Sequence, residues 1–298
     1  MIIGANLPAY NMGEMENKGW ELDVNYRNNI RDFKYWGRFN YSFARNKILF
    51  QDEVVKKFDY QMRTGRRFRQ FYGLKSDGFY NSWEEVNALD RPISSWSGKK
   101  LQPGDIKYVD INKDGVIDEY DEVPIGYSPV PEVIYGLSFG ADWKGFDCSA
   151  LFQGASNVSI KYFGRSLWPF VNGYESAKEF VLERWTHERY DAGEPINFPR
   201  LSLSPNKDTD NNYRDSDFWI RDASYLRLKN VEIGYTFNID LIKRMGLESV
   251  RLYLSGSNLF TWSNVIDLDP EAPSRAGNVE INTYPLQKIY NIGLNVSL

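Results

Sequence analysis

Histidine and cysteine are nearly absent from this chain of 298 residues, which contains one of each. Cys148 has no second cysteine with which to form an internal disulfide. His187 lies in a segment with helical spacing and is interpreted as a solvated residue, so no Ser-His-Asp, Cys-His or multi-histidine zinc site can be assembled. The segment Ser97-Gly98-Lys99-Lys100 lacks the upstream glycine of a phosphate-binding loop. We therefore expect no catalytic residues and no enzyme activity.

Long hydrophobic runs are also missing, because none reaches the roughly 18 residues that a membrane-spanning helix requires. The net charge of -4 gives no reason to expect nucleic acid as a partner. Aromatic residues, in contrast, are abundant, with 20 Tyr, 18 Phe and 9 Trp, although the mean hydropathy is only -0.53. This combination is typical of a transmembrane β-barrel, in which a lipid-facing side alternates with a polar lumen side.

About seven segments show a strict two-residue period, with apolar side chains on one face and polar ones on the other. The apolar faces are Trp20, Leu22, Val24 and Tyr26; Tyr35, Phe39, Tyr41 and Phe43; Val133, Tyr135, Leu137, Phe139 and Trp143; Phe146, Cys148, Ala150 and Phe152; Val231, Ile233, Tyr235 and Phe237; Val250, Leu252 and Leu254; and Tyr290, Ile292, Leu294, Val296 and Leu298. Each segment is near the length needed to cross a bilayer at a tilt. Trp20, Trp36, Trp143 and Trp262 lie near strand ends, where we expect membrane-interface girdle residues.

The connections between these segments alternate in length. Short or moderate links at Asn28 to Asp32, Lys144 to Gly145 and Asn238 to Ser249 separate long ones at about 49 to 131, 154 to 223 and 262 to 287. Outer-membrane barrels have short periplasmic turns and long external loops, so the long connections are predicted to lie outside. A bacterial single-chain barrel has an even number of strands and at least eight, so we expect a piece of a larger barrel. Helical spacing from Tyr174 to Tyr190 predicts a short helix in one external loop.

Residues 110–121 have the spacing of an EF-hand-like calcium loop. Oxygen-bearing side chains fall at loop positions 1, 3, 5, 9 and 12, and Gly115 is at position 6, where the chain must turn. The predicted ligands are the side chains of Asp110, Asn112, Asp114, Asp118 and Asp121 and the backbone carbonyl of Val116. Position 12 is Asp121 instead of the usual bidentate Glu, and the preceding residues have the pattern of a strand. A structural calcium ion is predicted here, with an ion-free Asx-turn loop as the alternative.

Two further groups of loop residues have patterns that suggest binding. Sugar rings bind by laying their apolar faces on flat aromatic surfaces, so Trp83, Trp96, Trp168 and Trp219 are candidate substrate-binding residues. The alternative is that these tryptophans pack the loops against each other. The basic residues Arg63, Arg66, Arg67 and Arg69 interleave with aromatic ones, and in this acidic chain we interpret them as a solvated or lumen-lining strip.

A series of motifs resembles the SusC/RagA-type TonB-dependent outer-membrane receptors. It comprises Asn11-Met12-Gly13-Glu14 with Asn17-Lys18-Gly19-Trp20-Glu21; Phe71-Tyr72-Gly73 with Ser76-Asp77-Gly78-Phe79-Tyr80; Pro103-Gly104-Asp105-Ile106-Lys107-Tyr108; Gly126 with Pro129 and Pro131; Phe152-Gln153-Gly154; Arg184-Trp185-Thr186; Asp222 to Val231 with Gly234-Tyr235; Asn258-Leu259-Phe260; Asp269-Pro270-Glu271; and Tyr290 to Leu294. The series covers almost the whole chain in the family's order, but only the final third of a full-length member.

The resemblance implies that residues 1–298 form the C-terminal part of a large antiparallel transmembrane β-barrel, without the plug and the N-terminal strands. It implies a location in the cell outer membrane, contact with outer-membrane lipid and import of oligosaccharide or peptide cargo. The implied partners are a SusD-like surface lipoprotein over the barrel mouth and TonB, which would act through the missing plug region.

Two other functions remain open from the sequence alone. One is a soluble, calcium-dependent, carbohydrate-binding β-sandwich module, whose apolar faces would be pressed together in a core. The other is a barrel of the same class that serves siderophores or vitamins.

Overall fold

The structure is a computed structural model that describes residues 11–95, 100–164, 167–173, 176–203, 205, 210–237, 246–266, 268–271 and 286–297. Strands dominate the described part of the chain, and its helices are short. In chain order, the strands are β1 (Glu14–Ile30), β2 (Phe33–Phe50), β3 (Phe71–Gly73), β4 (Ser76–Phe79), β5 (Ile93–Ser94), β6 (Ile106–Tyr108), β7 (Val116–Ile117), β8 (Val123–Ile125), β9 (Val133–Trp143), β10 (Phe146–Ser156), β11 (Ser159–Lys161), β12 (Ile220–Asp222), β13 (Tyr225–Phe237), β14 (Ser249–Ser263) and β15 (Ile289–Ser297). The α-helices are α1 (Trp83–Val86) and α2 (His187–Asp191), and turns of 3-10 helix occur at Asp59–Gln61, Glu119–Asp121, Val171–Gly173, Glu179–Glu183 and Asn211–Tyr213.

Seven long strands form one antiparallel sheet in the order β1-β2-β9-β10-β13-β14-β15. Each predicted alternating segment lies in one of these strands, apart from Leu298, which is outside the described residues; the predicted all-β class and strand number are confirmed. Strands β9 and β10 are joined by Lys144-Gly145, and both residues have positive φ angles, of 48° and 93°. This conformation belongs to the tight turn whose twist matches that of an antiparallel hairpin.

The apolar side of the sheet is continuous from strand to strand. One row pairs Val24 with Phe39, Phe39 with Leu137, Leu137 with Phe152, Phe152 with Leu228 and Leu228 with Phe260. Side chains on this face are exposed: Leu254 is 58% and Ile292 is 77% accessible. No second sheet covers this face in the described residues, which contradicts the β-sandwich alternative.

The apolar face has the dimensions of a bilayer. On β2 it runs from Phe33 to Phe43, which is about 33 Å at roughly 3.3 Å per residue and about 25 Å across a membrane at a tilt near 40°. Aromatic side chains lie near both ends: Trp20 stacks on Tyr41 at 5.0 Å, and Lys144 lies 5.5 Å from the ring of Trp143. Such aromatic girdles mark the two membrane–water interfaces.

Trp36 is not a girdle residue, although the sequence predicted it as one. In β2 it occupies the alternate position, opposite Gly140, and its indole ring packs where a Cβ of Gly140 would lie. Trp20, Trp143 and Trp262 lie on the apolar face and are each more than half exposed, as predicted. Trp36 therefore faces the polar side of the sheet.

The polar side of the sheet carries ion pairs between strands. Arg251 of β14 contacts Asp147 of β10 and Glu232 of β13, with 2.6 Å between Arg251 Nη2 and Glu232 Oε1. Arg38 contacts Asp23 at 2.6 Å across β1 and β2. Charges that pair on one side while the other side is uniformly apolar are typical of a barrel wall between lumen and lipid.

The buried core lies in the loops and not against the sheet. We call the described residues of 51–132 and 157–224 the loop assembly. Its larger core cluster consists of Val158, Ile160, Tyr162, Leu167, Trp168, Val181, Phe198, Tyr213, Trp219 and Ala223, and a smaller one consists of Leu74, Ile106, Tyr108 and Ile117. The helix predicted from Tyr174 to Tyr190, whose first two residues lie outside the described residues, is replaced by two separate helical turns. The chain is extended at Arg184 and Thr186 between them, because Arg184 pairs with Phe198 and the N–H of Trp185 donates to the Phe198 carbonyl.

No helix in the described segments is both long enough and apolar enough to span a membrane.

The exposed apolar face predicts the effect of adding a charge to it. Replacing Leu254 by Arg, midway along β14, should destabilise the full-length protein in a membrane by about 2–4 kcal/mol, because a guanidinium would enter hydrocarbon. We expect a lower yield of assembled protein that is resistant to unfolding in urea.

The matched control is Ser255→Arg, one residue further along β14 on the polar side. Its new cation would lie opposite Glu232, so assembly should be unchanged. Equal losses from both substitutions would contradict the assignment of the two faces.

Candidate functional site

The two long connections are held together by a buried polar network at Asp105. The Asp105 side chain is 1% exposed, accepts a 2.8 Å bond from Asn212 Nδ2 and lies 2.6 Å from Nε of Arg200. That Nε–H is not directed at the carboxylate, so the directional bond from Arg200 is the weaker one from Nη2, at 3.3 Å. Asn212 also accepts from the N–H of Ile106 at 2.8 Å. Residues more than 100 positions apart are thereby fixed to each other.

The turn that presents Asp105 requires glycine at position 104. Gly104 has a φ of +89°, and a Cβ on it would lie 2.6 Å from the Trp185 ring and 2.8 Å from Cβ of Arg200. Burial is the main influence on Asp105, and it raises the pKa of this carboxyl despite the nearby guanidinium of Arg200. The motif Pro103 to Tyr108 therefore has a structural reason, which is to brace the two connections.

The acidic loop at residues 110–121 is folded around its own carboxylates. Asp110 accepts bonds from the N–H groups of Lys113 at 2.6 Å and Gly115 at 2.8 Å. Gly115 has a φ of +84°, as predicted for the sharp turn at position 6. Asn112 accepts from the N–H of Asp114 at 2.9 Å. The backbone therefore wraps the first half of the loop as the sequence pattern predicted.

Asp121 closes the loop. Its side chain is fully buried and accepts from the N–H groups of Ile111 at 2.7 Å, Asn112 at 3.4 Å and Asp118 at 2.9 Å. These bonds use three of the roughly four acceptor positions of a carboxylate. Burial raises the pKa of Asp121, although the three N–H donors act in the opposite direction. An ion would therefore depend mainly on the other five predicted ligands.

The carboxylates of Asp110, Asp114, Asp118 and Asp121 influence the neighbouring segment at residues 59–61. The Tyr60 hydroxyl donates to the Tyr120 carbonyl at 2.6 Å, and Gln61 donates to the Glu119 carbonyl at 2.7 Å. The pKa of Tyr60 is raised by burial and also by the negative charge of the loop carboxylates at 121, 114, 118 and 110. The loop thus produces a concentrated negative potential and holds residues 59–61 against its exit turn.

The loop carboxylates are turned toward backbone amides in this structure. Within the described residues, no three His, Cys, Asp or Glu side chains are arranged to hold a metal ion. The predicted set also includes an amide oxygen and a backbone carbonyl, from Asn112 and Val116. Its residue types suit calcium, and its carboxylates would have to rotate inward to bind it.

The four candidate tryptophans have different environments. Trp168 and Trp219 are 5% and 1% exposed, and their indole N–H groups donate to the carbonyls of Tyr162 and Asn212. Both rings pack in the loop core, so the packing alternative describes these two residues. Trp83 is 52% exposed at the start of α1, and Trp96 lies outside the described residues. Trp83 is therefore the candidate whose ring the structure presents to solvent.

A second buried network, which the sequence analysis did not predict, is centred on Arg227 of β13. Its side chain is 1% exposed and contacts Asp269 at 2.8 Å and Glu271 at 2.9 Å. Its Nε also donates to the Thr261 hydroxyl at 3.0 Å. The Asp269-Pro270-Glu271 motif is thereby tied to the polar side of the sheet. The alternation of β13 is sufficient to predict that Arg227 faces the polar side of the sheet. Its partners Asp269 and Glu271 could not be predicted, because no pattern of neighbouring residues indicates a contact more than 40 positions away.

Comparisons with known proteins agree with this architecture. No protein-family model matches the chain. It is 29% identical to the TonB-dependent receptor P26 of Formosa agariphila over 99% of its own length and 30% of that protein. It is 26% identical to the TonB-dependent receptor SusC of Bacteroides thetaiotaomicron, over 99% of the chain and 28% of SusC. The predicted resemblance to SusC-type TonB-dependent receptors is confirmed.

Solved structures show the same fold. The structure of the RagAB peptide transporter matches with a TM-score of 0.68 and 23% identity, covering 96% of this chain and 29% of that one. The RagAB peptide importer in its open-open state matches with a TM-score of 0.66 and 24% identity. The seven-stranded sheet corresponds to the C-terminal part of a TonB-dependent receptor barrel, and the predicted location in the outer membrane is confirmed. The chain spans less than a third of the length of these relatives, and none of their names describes an enzyme.

The Asp105 network predicts a loss of loop stability when its carboxylate is removed. In the full-length receptor, Asp105→Ala would leave the partly buried Arg200 and the buried Asn212 without their shared partner, at a penalty of about 3 kcal/mol. We expect faster protease cleavage within residues 51–132 and 157–224, while the seven strands stay intact.

Asp90→Ala provides the control, since it removes an exposed carboxylate from the same connection. Cleavage of the Asp105→Ala variant at the rate of the Asp90→Ala variant would show that the network does not brace the loops.

Proposed function

We propose that this chain is the C-terminal barrel wall and external loop assembly of an importer that takes nutrient fragments across the outer membrane. The observation that carries the proposal is the continuous, exposed apolar face across seven strands, opposite a face of paired charges. A wall of this kind separates lipid from a polar passage. The similarity to TonB-dependent receptors over nearly the whole chain supports it.

The proposed cargo is an oligosaccharide or a peptide fragment. RagAB is a peptide importer, which supports a peptide, while the exposed ring of Trp83 suits the apolar face of a sugar. The proposed partners are a SusD-like lipoprotein above the loop assembly and TonB, acting through a plug region that these residues do not include. RagAB and SusC support this arrangement as relatives of the chain.

The calcium ion is proposed to have a structural role in the acidic loop. Asp110, Asn112, Asp114 and Asp118 with the Val116 carbonyl would hold it, and the ion would neutralise carboxylates that raise the pKa of Tyr60. Because Tyr60 and Gln61 are hydrogen-bonded to the exit of the loop, the ion would also steady that segment. Its contribution would be to hold the barrel mouth in one shape.

Calorimetric titration of the calcium-depleted, full-length receptor measures this site directly. We expect saturable binding of one calcium ion that Asp114→Ala weakens at least about tenfold, since a charged oxygen ligand is lost from a site tuned by ligand charge.

Glu119→Ala should keep the wild-type affinity, because position 10 of the loop supplies no ligand. Absence of calcium binding in the folded receptor would contradict the site. Equal weakening by both substitutions would indicate a diffuse effect of negative charge instead.

Growth of a strain deleted for the full-length gene tests the cargo. We expect a defect with oligosaccharides or peptides as the nutrient source, restored by the wild-type gene but only partly by Trp83→Ala if sugars are the cargo. A defect confined to iron or vitamin limitation would contradict the proposal and favour a siderophore or vitamin receptor.

A further inference from the structure

Four basic side chains surround one cavity where β2 extends beyond β9. Strand β2 continues to Phe50, whereas β9 begins at Val133, opposite Phe43. The open edge of β2 is covered by residues 65–66, whose backbone is hydrogen-bonded to Ile48. A cavity of about 310 Å³ lies in this notch, and its lining includes Arg45, Lys47, Arg66 and Arg67. Two of the four arginines singled out in the sequence therefore lie at the wall of the barrel.

The cavity lining contains no carboxylate, and Glu16, the cross-strand neighbour of Lys47, lies 2.8 Å from Lys18. The side chain of Glu132 is 4% exposed and is shared between Arg45, at 2.9 Å, and Arg67. Asn157 donates a further bond to it at 3.1 Å. In the described part of the chain, neither Lys47 nor Arg66 is in an ion pair, and both residues are exposed. The cavity therefore has a net positive charge.

The register places this cavity where the lipid-facing surface ends, on the side of the long connections. Side chains two apart on a strand share a face, so Arg45 and Lys47 follow Phe43 on the apolar side of β2. The guanidinium of Arg45 lies 5.4 Å from the centre of the Phe43 ring, which confirms this placement. On the neighbouring strand β1, Lys18 lies opposite Arg45, and Trp20, two residues further along, lies opposite Phe43. Basic groups thus stand one step beyond the aromatic girdle.

Apolar side chains are exposed around the same notch. Phe68 is 51% exposed next to Arg66 and Arg67, and its N–H is fixed by Asn46 at 2.6 Å. Phe50 is 50% exposed at the end of β2. A cationic cavity bordered by exposed rings suits the interfacial layer of a membrane, where apolar groups enter the acyl region and basic groups meet headgroups.

We propose that this cavity binds the phosphate group of an anionic lipid headgroup in the outer leaflet. The charge of the cavity is complementary to a phosphate, and its position is continuous with the surface that contacts lipid. Arg45 and Lys47 bring the cavity to the lipid-facing side of β2, and Asn46, Gln70, Pro124 and Gly126 complete its lining at the open end of the strand. The inference depends on the membrane orientation of the strands and not on which cargo is imported.

Lipid retention by the full-length receptor in nanodiscs tests the proposal. The discs contain phosphatidylcholine with a minority of phosphatidic acid, and the lipids that remain bound on extraction are counted by native mass spectrometry. We expect the wild type to retain phosphatidic acid in preference to phosphatidylcholine. In the double variant Lys47→Gln, Arg66→Gln, the ratio of retained phosphatidic acid to phosphatidylcholine should fall about tenfold. These two residues are chosen because Glu132 keeps both of its arginines, so assembly should be unaffected.

The matched control is Arg27→Gln, Lys34→Gln, which removes two cations from the polar side of β1 and β2. It should retain phosphatidic acid as the wild type does. Wild-type retention in the Lys47, Arg66 variant, or an equal loss in the control, would overturn the proposal. Displacement of phosphatidic acid by an equal concentration of inorganic phosphate would also overturn it, by showing a general anion site. Nutrient uptake is a separate readout, so failure of the proposed function would leave this result unchanged.

Discussion

The whole structure depends on one constraint, which is that a backbone crossing hydrocarbon must pair its own N–H and C=O groups. An antiparallel sheet meets it between strands, and its two-residue period then sends alternate side chains to lipid and to lumen. In this chain the alternation persists through seven paired strands, so apolar residues meet across each register on one face. Exposed residues such as Leu254 and Ile292 are stabilising in this setting, although they would be a liability in water.

The loop assembly follows a different physical logic from the wall. The sheet has little buried interior of its own. The larger core forms within residues 157–224, and a smaller one within 51–132 is in contact with Phe218 of the other connection. Trp219 stacks on Tyr213, and the edge of Trp168 packs against Tyr213 in the apolar core, while Asp105, Arg200 and Asn212 supply a polar brace. The acidic loop lies in the same assembly and holds the segment around Tyr60. The fold therefore places its buried side-chain networks in the loops, whereas the wall is uniform because every strand must present the same two faces.

Local period was sufficient to predict the wall, because strand alternation is a property of neighbouring residues. Nearness to a strand end did not predict the side of Trp36. This residue follows Tyr35 of the apolar face by one position, so it points to the polar side, opposite Gly140. Local period also failed between Tyr174 and Tyr190, where helical spacing was present but pairing of Arg184 with Phe198 kept the chain extended. The Asp105 and Arg227 networks had no local signal, because their partners are distant in the chain. The wrapping of the acidic loop was predictable because Asx-turn bonds span only a few residues.

The central claim is that one side of this sheet contacts lipid and the other contacts water. Single cysteines placed in turn at positions 250 to 255 of the full-length receptor, with Cys148 replaced by Ala, can be spin-labelled and measured for collision with oxygen and with a water-soluble nickel reagent. We expect a two-residue period, with labels at 250, 252 and 254 accessible to oxygen and labels at 251, 253 and 255 accessible to nickel. Uniform accessibility to nickel at all six positions would contradict it.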